Sequence, residues 1–324
     1  MSQQNPTEPS QENAPDMDDI DLNKLKEALN TLQGKQNIAE TIANDPIQFV
    51  HRYHTWQDQE IAAIFASSLS FGKVTLFVPI IRNWLNICDQ WGGPRKFVEN
   101  FSKTDIPLLN GLLYRWNKEP DFSLLVFTLQ RTLKAHGSCK SLIESLYIPE
   151  DADINPTLAR FIETLQKYAV QESIQVGLHA PNFDALPDGF KRFLSSPNKG
   201  SACKRWQMLL RWMVRQSAPD IGIWDLPPAK LCIPLDIHVH GIARMLGILN
   251  SSTANLKAAQ RISNVLRQIS PTDPIQYDFA MAHLGISGGC QKRYVREICL
   301  SCPLQDLCIH TKGKHPYQNL GDAS

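Results

Sequence analysis

Four of the chain's eight cysteines fall within nineteen residues, in the spacing Cys290-x8-Cys299-x2-Cys302-x5-Cys308. Four thiolates closing one short loop are the donor set of a [4Fe–4S] cluster or of a structural zinc ion. The uneven spacing is unlike the paired Cys-x2-Cys knuckles of zinc ribbons and favours the iron–sulfur reading over zinc. Gly288 and Gly289, just before Cys290, allow the backbone to bend closely around a bulky group. Lys292, Arg293 and Arg296 lie within the loop and offset the negative charge of thiolate ligands.

A second group of residues with chemical potential follows the turn-rich run Ser195-Ser196-Pro197-Asn198-Lys199-Gly200-Ser201, where a helix is expected over Ala202–Gln216. At 100° per residue, Trp206, Leu209, Leu210 and Met213 share its buried face. Lys204, Arg211 and Arg215 form a stripe on the opposite one, expected to line a positively charged cleft. At the helix start, the dipole and the neighbouring guanidinium groups lower the pKa of Lys204. A lysine so depressed is neutral and nucleophilic near physiological pH. Downstream, Pro234-Leu235-Asp236-Ile237-His238-Val239 leads into another helix, with Asp236 at the N-cap. Capping keeps that carboxylate ionised, as stabilisation of a developing cation requires.

The elements that must position these groups are helices. Asp58 to Ile64 opens a long apolar helix that breaks near Ser70-Phe71-Gly72, and Val74–Asp89 continues as another. Pro94, Pro107, Pro120, Pro149 and Pro156 punctuate shorter ones, and Thr253–Ile269 is amphipathic. Internal repeats and βαβ patterns are absent, so the fold class is all-α, with many short helices in two lobes. At 324 residues the chain is long enough for two sizeable cores. It has no transmembrane run or secretory leader, which points to a soluble, cytoplasmic protein. Eight cysteines with a metal loop fit a reducing compartment better than a disulfide framework.

Residues 1–22 carry six acids and no base, and read as a disordered acidic tail. Setting those six charges aside from a net charge of +1 leaves +7 on the remainder. Seven bases and no acid lie between Gly189 and Pro219, a run that by itself reads more often as a solvated face than as a binding surface.

The order of these features resembles the helix-hairpin-helix DNA glycosylase superfamily. The run Cys299-Leu300-Ser301-Cys302-Pro303-Leu304-Gln305-Asp306-Leu307-Cys308 is similar to the C-terminal loop of its endonuclease III branch. The segments Ser201–Arg205, Leu210–Arg215 and Asp273–Ala280 resemble, more closely, a bacterial family labelled only as a domain of unknown function. The resemblance implies a six-helix-barrel lobe at 56–215 and a cluster-bearing lobe at 23–55 with 216–311, followed by a flexible tail at 312–324. It implies damaged duplex DNA or an abasic site as partner, bound by a monomer that associates with the nucleoid. Lys204 matches the amine that attacks the sugar and Asp236 the catalytic carboxylate. Lys199, Gly200, Arg205, Arg211, Arg215, Lys292, Arg293 and Arg296 are the expected DNA contacts. The activity implied is base excision with abasic-site lysis, on a base flipped from the stack.

This chain departs from the superfamily at the hairpin, where Leu-Pro-Gly-Val-Gly is replaced by Asn198-Lys199-Gly200-Ser201-Ala202 with one glycine. Asp220–Lys230 stands as an insertion between Lys204 and Asp236. The turn that endonuclease III pushes into DNA corresponds to Ser70-Phe71-Gly72-Lys73. The eroded hairpin supports an alternative, a non-catalytic DNA-binding protein that keeps the fold and the metal loop.

Overall fold

A computed structural model describes residues 20–311. Most of the acidic stretch 1–22 and the tail 312–324 lie outside the described residues. The inner edge of the acidic stretch is ordered: Asp21 caps the first helix, accepting from Lys24 N at 3.0 Å. That correction has a local cause, because an Asp placed ahead of Leu25, Leu29 and Leu32 is a capping residue before it is a tail residue.

The fold is all-α. Among the described residues, fifteen α-helices run in the order α1 (Leu22–Gly34), α2 (Ile38–Asn44), α3 (Gln48–His51), α4 (Trp56–Leu69), α5 (Val74–Asp89), α6 (Pro94–Asn100), α7 (Glu119–His136), α8 (Cys139–Ser145), α9 (Asn155–Glu172), α10 (Asp188–Phe193), α11 (Lys204–Val214), α12 (Ile237–Met245), α13 (Leu256–Ile269), α14 (Asp278–Ile286) and α15 (Arg296–Cys299). Short 3-10 turns join several of them, and no β-strand occurs among the described residues. Among the described residues no helix is long and apolar enough to cross a membrane.

Helix α4 lies at the centre. Ten consecutive residues, Glu60 to Leu69, are buried, so the helix is enclosed on every side rather than amphipathic. It packs against α3, α5, α6 and α11. Thr55 caps its start, accepting from Asp58 N, and the expected break after Leu69 is present. Its buried Glu60 carboxylate accepts from Cys139 N (3.1 Å), Lys140 N (2.6 Å) and Trp224 Nε1 (3.0 Å). One side chain of α4 therefore caps α8 and holds the segment between α11 and α12. Around this centre α7 packs on α8 and α9, α12 on α14, and α1 on α13 and α14. One continuous apolar core runs from Leu25 to Leu304.

Helix α11 differs from its expected orientation. Residues Trp206 to Val214 are buried without interruption, including Arg211, and the C-cap Arg215 is buried too. The supposed cleft wall is an interior ion network. Arg211 Nε meets Asp220 Oδ1 at 3.2 Å, and its Nη1 pairs with Asp278. Arg215 pairs with Asp220 and, through Nε at 3.0 Å to both oxygens, with Asp273. Asp220 comes from the segment between α11 and α12 and Asp278 from the start of α14, so the network ties α11 to both. Burial alone would strip charge from Arg211, but Asp220 and Asp278 outweigh it and hold its pKa above the ordinary arginine value. Arg211 and Arg215 are accordingly removed from the set of DNA contacts: their guanidiniums are spent inside the protein.

Removing one partner from such a network leaves a buried charge uncompensated, at a cost of about 3–5 kcal/mol. Asp220→Ala should lower the denaturant midpoint by a corresponding amount. Lys199→Ala, whose ion pair with Asp184 is exposed, should leave the transition in place.

Candidate functional site

The site is built where α4 ends against the start of α11. A helix terminus leaves its last four carbonyls without partners, and here each one is met. Ala66 O accepts from Ser70 Oγ (2.7 Å) and Ser67 O from Ser70 N (3.1 Å). Ser68 O accepts from Arg205 Nη1 (2.6 Å) and Leu69 O from Phe71 N (2.8 Å). The carbonyl of Ser70 itself accepts from Lys204 Nζ at 3.2 Å. Two cations at the head of α11 thus stand on the negative end of α4, the favourable placement for the helix dipole. Cys203, in the left-handed conformation with φ of 46°, makes the turn into α11.

Lys204 is half-buried as a side chain, and its amine end is enclosed. Its pKa is lowered, and desolvation is the main cause. The sequence pointed to the helix dipole and neighbouring guanidinium groups, but Arg205 is only a minor contributor. Asp236, Asp45 and Asp278 act in the opposite sense, each favouring the ammonium form. Lys204 and Asp236 therefore lie within electrostatic reach of each other. Asp236 caps α12 as expected: Oδ1 accepts from His238 N and Val239 N, both at 2.8 Å.

Three residues around this pair were not singled out from sequence. Asp45 precedes α3, and its Oδ2 lies 3.9 Å from His283 Nε2. The other ring nitrogen of His283 donates to Phe279 O at 2.9 Å. Burial lowers the His283 pKa. Asp278 is pushed up to about 6 by burial against the pull of Arg211, with Asp236 and Asp220 adding to the rise. Three carboxylates face two guanidiniums in that network, so one carboxylate can retain a proton, and Asp278 Oδ1 is buried without a hydrogen-bond partner. Asp278 lies within the Asp273–Ala280 segment that carries the resemblance but was given no role there, and nothing in spacing or periodicity marked His283 or Asp45. His238 packs its ring against Gly285 of α14, where a Cβ would meet it at 2.6 Å.

The other expected DNA contacts divide. Lys199 and Gly200 are exposed at the turn before α11, with Gly200 at φ 76° and open space beside it. The amide of Gly200 donates to Pro197 O (2.8 Å), so its N–H is engaged. Arg205 is half-buried and held by Ser68 O and Arg192 O. Lys292, Arg293 and Arg296 are exposed on the cysteine loop, and the aliphatic stem of Lys292 lies flat on Gly241 of α12.

Cys290, Cys299, Cys302 and Cys308 line one cavity, walled by Ile242, Met245, Leu246, Leu284 and Leu304. Burial raises the pKa of Cys290 and Cys302, and the other thiols of the loop add to it. The four share this cavity without converging: among the described residues no three His, Cys, Asp or Glu side chains are arranged to hold a metal ion. Their chemistry and common apolar wall suit a thiolate-bound metal centre, whose charge would reverse the pKa direction. The remaining cysteines, Cys88, Cys139, Cys203 and Cys232, are buried and apart from it.

No curated protein and no solved structure matches the chain. Residues 45–287 match a family model described as a protein of unknown function, DUF2400. The matched span contains Lys204, Asp236, Asp45, Asp278 and His283, and ends just before Cys290. Because it covers about three-quarters of the 324 residues, the chain belongs to the DUF2400 family.

Proposed function

We infer that this protein is a DNA glycosylase with abasic-site lyase activity, with Lys204 as the nucleophile and Asp236 as the stabilising carboxylate. The observation that carries the reading is the enclosed Lys204 amine, its pKa depressed by desolvation, within the field of a carboxylate held at a helix N-cap. A flipped nucleotide would enter between the 56–215 lobe, which supplies Lys204, and the lobe of 23–55 with 216–311, which supplies Asp236.

In the reaction, the Lys204 amine leaves Ser70 O and its lone pair attacks the sugar C1′. The C1′–N bond breaks, and the base departs with the bonding electrons and takes a proton from water. Positive charge develops on the sugar, and ionised Asp236 stabilises it more strongly in the transition state than in the ground state. Loss of the amine proton and ring opening give an iminium between Lys204 and C1′. Removal of a C2′ proton then expels the 3′ phosphate, and water hydrolyses the iminium to free the amine. Desolvation lowers the pKa of Lys204 and so favours the neutral amine that the first step needs.

Cys290, Cys299, Cys302 and Cys308 would hold a [4Fe–4S] cluster. Bound there, the cluster would supply a rigid cross-link that folds the loop onto α12 and presents Lys292, Arg293 and Arg296 to phosphates, with no change of redox state required.

A specific observation favours a second reading. Lys204 already satisfies the Ser70 carbonyl, and the Gly200 amide is already engaged, as a binding protein without catalysis would have them.

Three outcomes test the proposal. Wild-type protein mixed with duplexes carrying uracil, oxidised pyrimidine, 8-oxoguanine or an abasic site should form a borohydride-trapped complex, and Lys204→Gln should form none. Asp236→Asn should slow excision with little change in DNA affinity, provided its melting temperature is kept; if no substrate traps, the binding-only reading replaces this one.

The second outcome concerns the amine. Its reactivity toward an amine-directed reagent, followed by peptide mapping, should titrate below the ordinary lysine value of 10.5. Asp236→Asn should move that midpoint lower still, since the lost negative charge had favoured the ammonium form.

The third concerns the metal. Anaerobically purified protein should be brown, with about four irons per chain, and Cys302→Ser should lower the stability of the C-terminal segment. Stoichiometric zinc without iron, from iron-replete cells, would establish the zinc alternative.

A further inference from the structure

The aromatic side chains beyond the end of α4 form a surface that the lysine chemistry leaves unused. Phe71 and Trp116 stack with planes within 7° and centroids 5.2 Å apart, and Tyr114 tilts against Phe71 at 4.7 Å. The Tyr114 hydroxyl donates to Phe71 O. Tyr114 and Asn117 exchange both backbone hydrogen bonds, at 3.0 and 2.9 Å, closing a tight loop that holds Arg115 and Trp116 outward. Asn117 is buried, its amide donating to Gly189 O at 2.8 Å, so the loop is anchored rather than loose. At Gly72, with φ of 83°, a Cβ would come within 2.4 Å of the Arg115 guanidinium, so chain and side chain lie flush.

Guanidiniums surround the rings. Arg192 stands over Trp116 at 4.4 Å, Arg205 over Phe71 at 5.2 Å, and Arg115 within 5.9 Å of all three rings. The nearby acids pair elsewhere, Asp188 with Lys191 and Asp184 with Lys199. Among the described residues no carboxylate forms an ion pair with Arg115, Arg192 or Lys73. Arg205 is pushed down to about 10, by burial first and then by the repulsion of Arg192. Positive charge is thus concentrated here, and Asp188, ion-paired to Lys191, is the acid whose charge also acts on Arg192.

Trp116 remains 41% exposed despite its stacking partners. An acidic peptide would need only the cations, and a lipid surface would need apolar bulk without them. Flat rings interleaved with unpaired guanidiniums match a polymer that alternates flat bases with phosphates. We propose that this surface binds single-stranded nucleic acid, with an unpaired base stacked on Trp116 and its flanking phosphates held by Arg115 and Arg192. The proposal stands apart from the lysine chemistry and does not require Lys204 to react.

The test is fluorescence anisotropy of a short labelled oligothymidine against the full chain at rising salt. Trp116→Ala should weaken binding roughly tenfold, the worth of one stacked base, with the salt slope unchanged, and Trp116→Phe should restore most of the affinity. Arg115→Ala with Arg192→Ala should lower the log–log salt slope by about 1.4, two phosphate contacts' worth on a single strand. An unchanged affinity in Trp116→Ala, or equal competition by polyglutamate, would overturn the proposal. If Trp116→Ala melts early, an unchanged salt slope in the double arginine variant would overturn it. The probe carries no lesion and no chemistry is read, so wild-type protein that binds no oligothymidine refutes this surface while leaving the borohydride trapping result to stand or fall separately.

Discussion

A helix that ends inside a protein leaves carbonyls that water cannot reach, and α4 ends there. Its closing residues, Ser67 to Ser70, are buried or nearly so, and each orphan carbonyl would cost about 1–3 kcal/mol if unmet. Local hydroxyl and amide groups meet three of them. The fourth, and the Ser70 carbonyl beyond, are met by Arg205 and Lys204 from a helix more than 130 residues later in the chain. That requirement carries the lysine amine out of solvent. Its depressed pKa is thus a by-product of how α4 is terminated, and the same event places Phe71, the next residue, against the aromatic loop.

Bringing two cations onto the end of α4 requires α11 to be seated firmly, and the interior charges do that. Arg211 and Arg215, about two and three turns beyond Lys204, are bound by Asp220, Asp273 and Asp278. Through Asp278 the network fixes the start of α14, whose His283 faces Asp45. Helix α14 also packs on α12, and Asp236 stands at the head of α12. The lysine and the carboxylate come from different helices and are placed by one chain of contacts. Asp236, Asp45 and Asp278 act on the Lys204 amine against desolvation, each favouring its ammonium form.

Much of this was legible in the residues themselves. Val74–Asp89 reads as a helix and is one to the residue, the break at Ser70 to Gly72 falls where its turn-forming residues stand, and Asp236 is an N-cap because Asp before Ile-His-Val-His suits no other role so well. The fate of Arg211 and Arg215 was not legible. A helical wheel sorts residues by polarity and so placed both arginines opposite the tryptophan face. It cannot show that acids five and sixty-seven residues downstream will cover the polar face and bury both sides. The same limit hides the Arg115–Trp116 loop, which has no periodicity and is defined by a backbone pairing across four residues and by an anchor to Gly189. Cysteine spacing pointed to a four-thiolate metal site; the four thiols line one cavity, and the placement of each on it depends on how the loop packs against α12.

The account turns on the Lys204 amine becoming bonded to a sugar carbon. Digesting the borohydride-reduced protein–DNA adduct and sequencing the peptides by mass spectrometry tests that directly. The account predicts a reduced sugar remnant on Lys204 in the peptide that begins α11. A remnant on any other amine, or an adduct whose Lys204 is unmodified, would contradict it.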